Sequence, residues 1–188
     1  LHDALPISRH DHRRVAQMEK SLWFVAVLLP DEVVQQVRAL QQEIADRFGP
    51  RRALRLPPHI TVEAPFRLGD SEGERLVAAL AAFLAGKPCF EVALKNFGYF
   101  RDDVIFVEVV APLELLELHN QLQSFLRQEA GFIQTAPLHP GYTPHLTLAN
   151  RDVTPQQHAA IWRELSRRRF FARFLVSDLA LMRHNGAS

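Results

Sequence analysis

Pro58-His59-Ile60-Thr61-Val62 and Pro144-His145-Leu146-Thr147-Leu148 are one five-residue pattern written twice, with the two histidines 86 residues apart. Each copy follows a proline and alternates polar with aliphatic residues. In a strand, successive side chains point to opposite faces, so His59 and Thr61 share one face while Ile60 and Val62 share the other. The same holds for His145 and Thr147 against Leu146 and Leu148. Each copy therefore predicts a strand that buries an aliphatic face and presents an imidazole with a hydroxyl two residues later.

The surroundings of the two copies match. Before the first, residues 22–29 form an apolar run of strand length. Asp31 is placed to cap a helix carrying Val33, Val37, Leu40, Ile44 and Phe48, which stops at Gly49. An arginine-rich loop (Arg51, Arg52, Arg55) leads to the motif strand, 59–66. After it, Ser71-x-x-Glu74 reads as a capping box for a helix through Leu76, Leu80, Phe83 and Leu84, and 90–97 reads as a strand. The order then restarts: strand 104–110, a helix through Leu115, Leu118, Leu122, Phe125 and Leu126, and the motif strand 145–149. A helix follows, opened by Thr154-Pro155 and carrying Ile161, Trp162 and Leu165, and then a last strand region, 170–182. Written out, the order is β-α-β-α-β twice. That predicts an α+β fold of two duplicated lobes, about 18–98 and 99–188, related by a pseudo-two-fold axis around a central cleft.

Composition sets bounds on what such a chain does. Its 188 residues are 47% hydrophobic and 23% charged, ordinary for one domain with a core. The formal net charge is +1, so bulk electrostatics do not mark a nucleic-acid binder. Nineteen of the 22 basic residues are arginine, whose planar fork grips phosphate, although surface arginines are common without any such role. The lone cysteine, Cys89, fits a reducing, cytoplasmic compartment. No apolar run has the length of a membrane helix. Residues 1–17 lack a clear period and are read as a disordered or non-native tail, and their His2, His10 and His12 are left out of any site.

The paired motif carries chemistry. Histidine is the side chain best poised to give or take a proton near neutrality. Cleaving a phosphodiester needs a base for the attacking oxygen and an acid for the leaving one, and two histidines on opposite sides of the phosphorus supply both. The threonine hydroxyls are suited to hydrogen-bond the non-bridging oxygens as charge builds there. The chain has no His-Glu-x-x-His helix, no Cys/His zinc spacing, no glycine-rich phosphate loop and no Gly-x-Ser-x-Gly elbow. His59, Thr61, His145 and Thr147 are therefore the candidate catalytic residues, with no metal and no cofactor assigned.

At these residues the chain resembles the 2H phosphoesterase superfamily, in particular proteins of the 2′-5′ RNA ligase-like and RNA 2′,3′-cyclic phosphodiesterase type. The resemblance covers Met18 to the C-terminus. It implies a metal-independent phosphodiesterase acting on 2′,3′-cyclic phosphates at RNA termini or on small cyclic nucleotides, usually leaving a 2′-phosphate, with reverse ligation by the same groups. It also implies that His145 activates water and His59 protonates the leaving oxygen, an assignment that the symmetry of the motifs leaves open. The competing reading is a non-catalytic RNA- or nucleotide-binding module using the same cleft. A monomer with no obligate protein partner is expected.

Around the quartet, family members often carry a basic residue a few positions after the second motif. Here Arg151 is the candidate phosphate clamp, provided its strand continues without a bulge. Tyr142, three residues before His145, is a candidate substrate contact lining the cleft, with core packing as its alternative; the aromatic turn Phe97, Tyr99, Phe100 is read in the same two ways. Simple alternation sets Glu63 beside the phosphate, where it would repel, so it is expected to turn away or pair with an arginine. His119, His139 and His158 are read as structural or surface residues, and Arg167–Arg169 as a helix end complementing its dipole.

Overall fold

The computed structural model describes residues 20–129 and 141–184. The tail 1–17 and His139 lie outside the described residues. The elements run β1 (Ser21–Leu28), α1 (Asp31–Phe48), β2 (His59–Leu68), α2 (Asp70–Leu84), β3 (Phe90–Phe100), β4 (Val104–Val110), α3 (Leu113–Ser124), β5 (His145–Asn150), α4 (Pro155–Leu165), β6 (Phe171–Val176) and β7 (Ala180–His184). The expected β-α-β-α-β alternation is present in both halves, with β7 added at the end.

All seven strands join one sheet in the order β6-β3-β4-β5-β2-β1-β7, with every recorded pairing antiparallel. The two motif strands, β2 and β5, are neighbours at its centre. The order also separates chain halves from sheet halves. β3, from the first half, pairs with β4 and β6 of the second. The region 170–182, expected as one strand, splits: β6 stays beside β3, while β7 returns to pair with β1. A lobe border near residue 98 therefore follows the chain but not the sheet.

The four helices cover one face. On that face Ile60, Val107 and Leu146 are fully buried, each aliphatic side chain contributing about 1.5–3 kcal/mol by leaving water. Val33, Val37 and Ile44 of α1, Leu76 of α2, Leu115 and Leu122 of α3 and Ile161 of α4 complete the same core. Two of these packings are tight or charged. Gly73 of α2 lies on the Trp23 indole, where a Cβ would come within 2.7 Å of the ring. Glu43 of α1 accepts both guanidinium nitrogens of Arg168, beyond α4, at 2.6 and 2.8 Å, and this holds its carboxyl well below the usual range, at about 2.

The helix ends correct two expectations. Pro30, not Asp31, precedes α1, and Asp31 sits in its acidic first turn, where it complements the dipole. In α2 the cap lies earlier than Ser71 and Glu74 and is one-sided: the Glu72 carboxylate accepts the Gly69 amide at 2.8 Å, and Gly69 has no side chain to return a bond. Thr154 caps α4 as expected, its hydroxyl accepting from the Gln157 amide at 3.2 Å.

Candidate active site

The face of β2 and β5 turned away from the helices carries both motifs. The strands meet at the antiparallel pair Ile60–Leu146, the residues directly after the two histidines. Antiparallel register about that pair sets His59 across from Thr147 and Thr61 across from His145, all four on one face. The pseudo-two-fold axis thus passes between two imidazoles and two hydroxyls, each half-buried.

Each imidazole is oriented in the same way. His59 Nδ1 donates to the Pro57 carbonyl at 2.8 Å, and His145 Nδ1 donates to the Thr143 carbonyl at 2.9 Å. A carbonyl only accepts, so the proton of the neutral ring is fixed on Nδ1 and Nε2 is left as the unprotonated nitrogen. The two prolines that open the motifs lie between each histidine and the carbonyl that holds it. Phe24 of β1 packs against His59 at 5.1 Å, and Phe106 of β4 against His145 at 5.2 Å. Phe100 adds a perpendicular contact to His145 at 4.9 Å. Burial pushes the His59 imidazolium below the usual histidine range; the Pro57 bond opposes this shift and nearby His145 reinforces it.

Each motif is also strapped from behind by the other half of the chain. From α1, Gln41 Nε2 donates to the Thr147 carbonyl at 2.9 Å, and Gln41 is only 2% exposed. Arg38, one turn earlier, donates to Gln41 Oε1 at 3.1 Å and to the Leu56 carbonyl at 2.7 Å, just ahead of the first motif. From the second half, His119 of α3 bonds the Val62 carbonyl at 2.6 Å, and Tyr142 donates to the Thr61 carbonyl at 2.8 Å. The His119 and Tyr142 rings stack at 4.0 Å. Burial, then the charge of Glu63, pushes the Tyr142 phenol far above its ordinary range.

Both strands break step at the same point. Thr61 pairs with Ala26 and Glu63 with Val25, so Val62 is an extra residue. Thr147 pairs with Phe106 and Ala149 with Ile105, so Leu148 is its counterpart. These β-bulges, at the fifth motif position of each copy, reset the alternation. Glu63 turns to the helix-covered face and is 4% exposed. In the second copy Asn150, paired with Val104, takes the site face. Arg151 follows the end of β5 in the left-handed conformation (φ 63°), exposed, its amide donating to the Asp103 carbonyl at 3.3 Å. The condition on which Arg151 was a clamp, an unbroken strand, is not met. Tyr142 packs and straps β2, its hydroxyl already bonded to the main chain. His158 is buried against Tyr99, away from the site face.

Residues that sequence reading missed are Phe24, Phe106, Glu108 and the Arg38–Gln41 pair. Glu108 stands across from His145 and Leu28 across from His59. Nothing local marks them, because they reach the motifs through cross-strand register and helix packing. Among the described residues no three His, Cys, Asp or Glu side chains gather as metal ligands. No described helix is long and apolar enough to cross a membrane.

Comparison with known proteins agrees with this architecture. A candidate phosphoesterase of Bacillus cytotoxicus is 28% identical over 148 residues, 77% of this chain and 78% of its own length. One of Bacillus pumilus is 26% identical over 137 residues, 72% of this chain and 73% of its own. Among solved structures, E. coli LigT complexed with 3′-AMP superposes with a TM-score of 0.59 at 21% identity, covering 88% of both chains. TT0787 of Thermus thermophilus gives 0.58 at 24%, covering 85% of this chain and 86% of its own. The family model of the 2′-5′ RNA ligase superfamily matches residues 29–188, and the chain belongs to that superfamily.

Proposed function

We propose that this protein is a phosphoesterase that opens 2′,3′-cyclic phosphates, at RNA termini or on small nucleotides, by proton transfer through His59 and His145 and without a metal ion. The observation that carries the reading is the pair of Nδ1-to-carbonyl bonds flanking the Ile60–Leu146 contact. They leave two Nε2 atoms free on one face, each with a threonine hydroxyl across the strand. One neutral imidazole takes a proton from water, whose oxygen bonds to phosphorus. The other, as imidazolium, gives its proton to the ribose O3′ as the P–O3′ bond breaks, leaving a 2′-phosphate. Thr61 and Thr147 donate to the non-bridging oxygens. The reverse sequence is ligation. The lone Cys89 is compatible with action in the cytoplasm.

The surroundings favour His59 as the base. Burial keeps it neutral, and its cross-strand neighbour is Leu28, whereas that of His145 is the carboxylate Glu108. This order is the reverse of the one implied by the family resemblance. An activated substrate separates them: a nitrophenyl phosphodiester needs no acid for its leaving group, so it rescues His145→Ala and not His59→Ala if His59 is the base. The parent experiment is turnover of 2′,3′-cyclic mononucleotides and a cyclic-phosphate-ended oligonucleotide in excess EDTA. Activity abolished by EDTA refutes the metal-free route. Tight RNA binding with no turnover of any of these substrates favours the binding-module reading instead.

A further inference from the structure

A two-fold symmetric quartet offers an asymmetric substrate two equivalent orientations. His59 exchanges with His145 and Thr61 with Thr147 under the axis beside Ile60–Leu146. What selects one orientation must lie where the two halves differ, and the sheet register names those positions. Across from His59 stands Leu28, and across from His145 stands Glu108; across from Thr61 stands Ala26, and across from Thr147 stands Phe106.

The two corners are chemically unlike. The His59 corner is walled by Leu28, Ala26 and Phe24, none with a polar side-chain atom, and Leu28 is 44% exposed. The His145 corner is walled by Phe106, Phe100 and the exposed Glu108. Gly98 forms its floor. A Cβ there would lie 2.6 Å from the Phe106 ring and 3.0 Å from Glu108 Oε1. Only glycine lets the ring and the carboxylate settle side by side over β3.

We propose that this corner is a nucleobase subsite that prefers guanine, with Glu108 as the acceptor for its edge; the inference rests on the function proposed above. A carboxylate only accepts, and its two oxygens match two adjacent N–H donors. Guanine presents such a pair, N1–H and the N2 amine. Adenine and cytosine each set one amine beside a lone pair, and uracil flanks its single N–H with carbonyls. The half-buried Phe100 ring, backed by the buried Phe106, supplies an apolar wall that any base can use, so the carboxylate is what discriminates. The base then lies on the His145 side, and this fixes how the cyclic phosphate is presented to the two imidazoles.

The test compares kcat/KM for the 2′,3′-cyclic phosphates of guanosine, inosine and adenosine in wild type, Glu108→Gln and Glu108→Ala. Wild type is expected to favour guanosine over adenosine by roughly tenfold or more, with inosine, which lacks the N2 amine, between them. Glu108→Gln keeps the size of the side chain but breaks the acceptor pair, so the ratio falls to within about threefold. Equal rates in wild type, or a guanosine preference that survives both substitutions, overturns the subsite. If none of the cyclic nucleotides is turned over, the proposed activity fails by itself and calorimetric binding of 2′-GMP and 2′-AMP decides. Tighter 2′-GMP binding that is lost in Glu108→Gln supports the subsite, and equal binding overturns it.

Discussion

The His59 corner and the His145 corner carry the same pattern and the same Nδ1-to-carbonyl bond, yet different walls. One is apolar and holds its imidazole below the ordinary histidine range; the other sets a carboxylate across the strand. Their straps differ too. The second motif hangs from a neutral amide, Gln41, and the first from a stacked histidine and tyrosine. Duplication therefore accounts for what the two corners share, the pair of proton carriers. Divergence accounts for what a directional reaction needs, two carriers that are not equivalent.

The comparison can be broken most sharply at the histidines. His59→Ala and His145→Ala should each lower kcat/KM on a cyclic nucleotide by about 10²–10⁴, measured by steady-state hydrolysis. A large loss in one variant only would show that the shared pattern is not a shared role. Next come the straps. Gln41→Leu leaves the Thr147 carbonyl without its donor, and kcat should fall roughly 10- to 100-fold as the second motif shifts. Tyr142→Phe loses one bond while the ring stack on His119 stays, so a fall of about threefold to tenfold is expected. A larger loss in Tyr142→Phe would reverse the ranking of the two straps.

A subtler change makes the corners alike. Leu28→Glu puts an opposite charge across from His59 and stabilises its imidazolium, so its depressed pKa rises. The acidic limb of the pH–rate profile should move up by about half a unit to one unit; a downward shift would remove His59 from that limb. The smallest effect lies away from the site. Glu43 holds its proton less tightly folded, at about 2, than at its ordinary value of 4.5. Its contribution is thus present above that ordinary value and lost as pH falls toward 2. Allowing for solvent screening, Glu43→Gln should cost about 1 kcal/mol near pH 7 with kcat unchanged, and nothing at the acid end of that window.

Much of this was legible in the sequence because it is periodic. His59, Thr61, His145 and Thr147 share a face by the period of two, and Val33, Val37 and Ile44 mark α1 by the helical period. Legibility ends where period ends. The bulges at Val62 and Leu148 carry no composition of their own, so simple alternation misplaced Arg151, whereas the charge of Glu63 was enough to expect that it turns away from a phosphate. Glu108 and Gln41 reach the motifs only through register and helix packing, and β7 looked like a continuation of β6 because two edge strands in sequence read as one.

The return of β7 to β1 sets the timing of synthesis. Val25 waits for Leu181, about 150 residues later, before that side of its backbone is paired. At the usual pace of translation this is a delay of about 8–30 s. For most of that interval the nascent chain carries an open β1 edge beside a motif strand that itself lacks β5. The first strand of the sheet is thus also the last to be closed, and its window for mispairing or chaperone capture spans the synthesis of every described strand between β1 and β7.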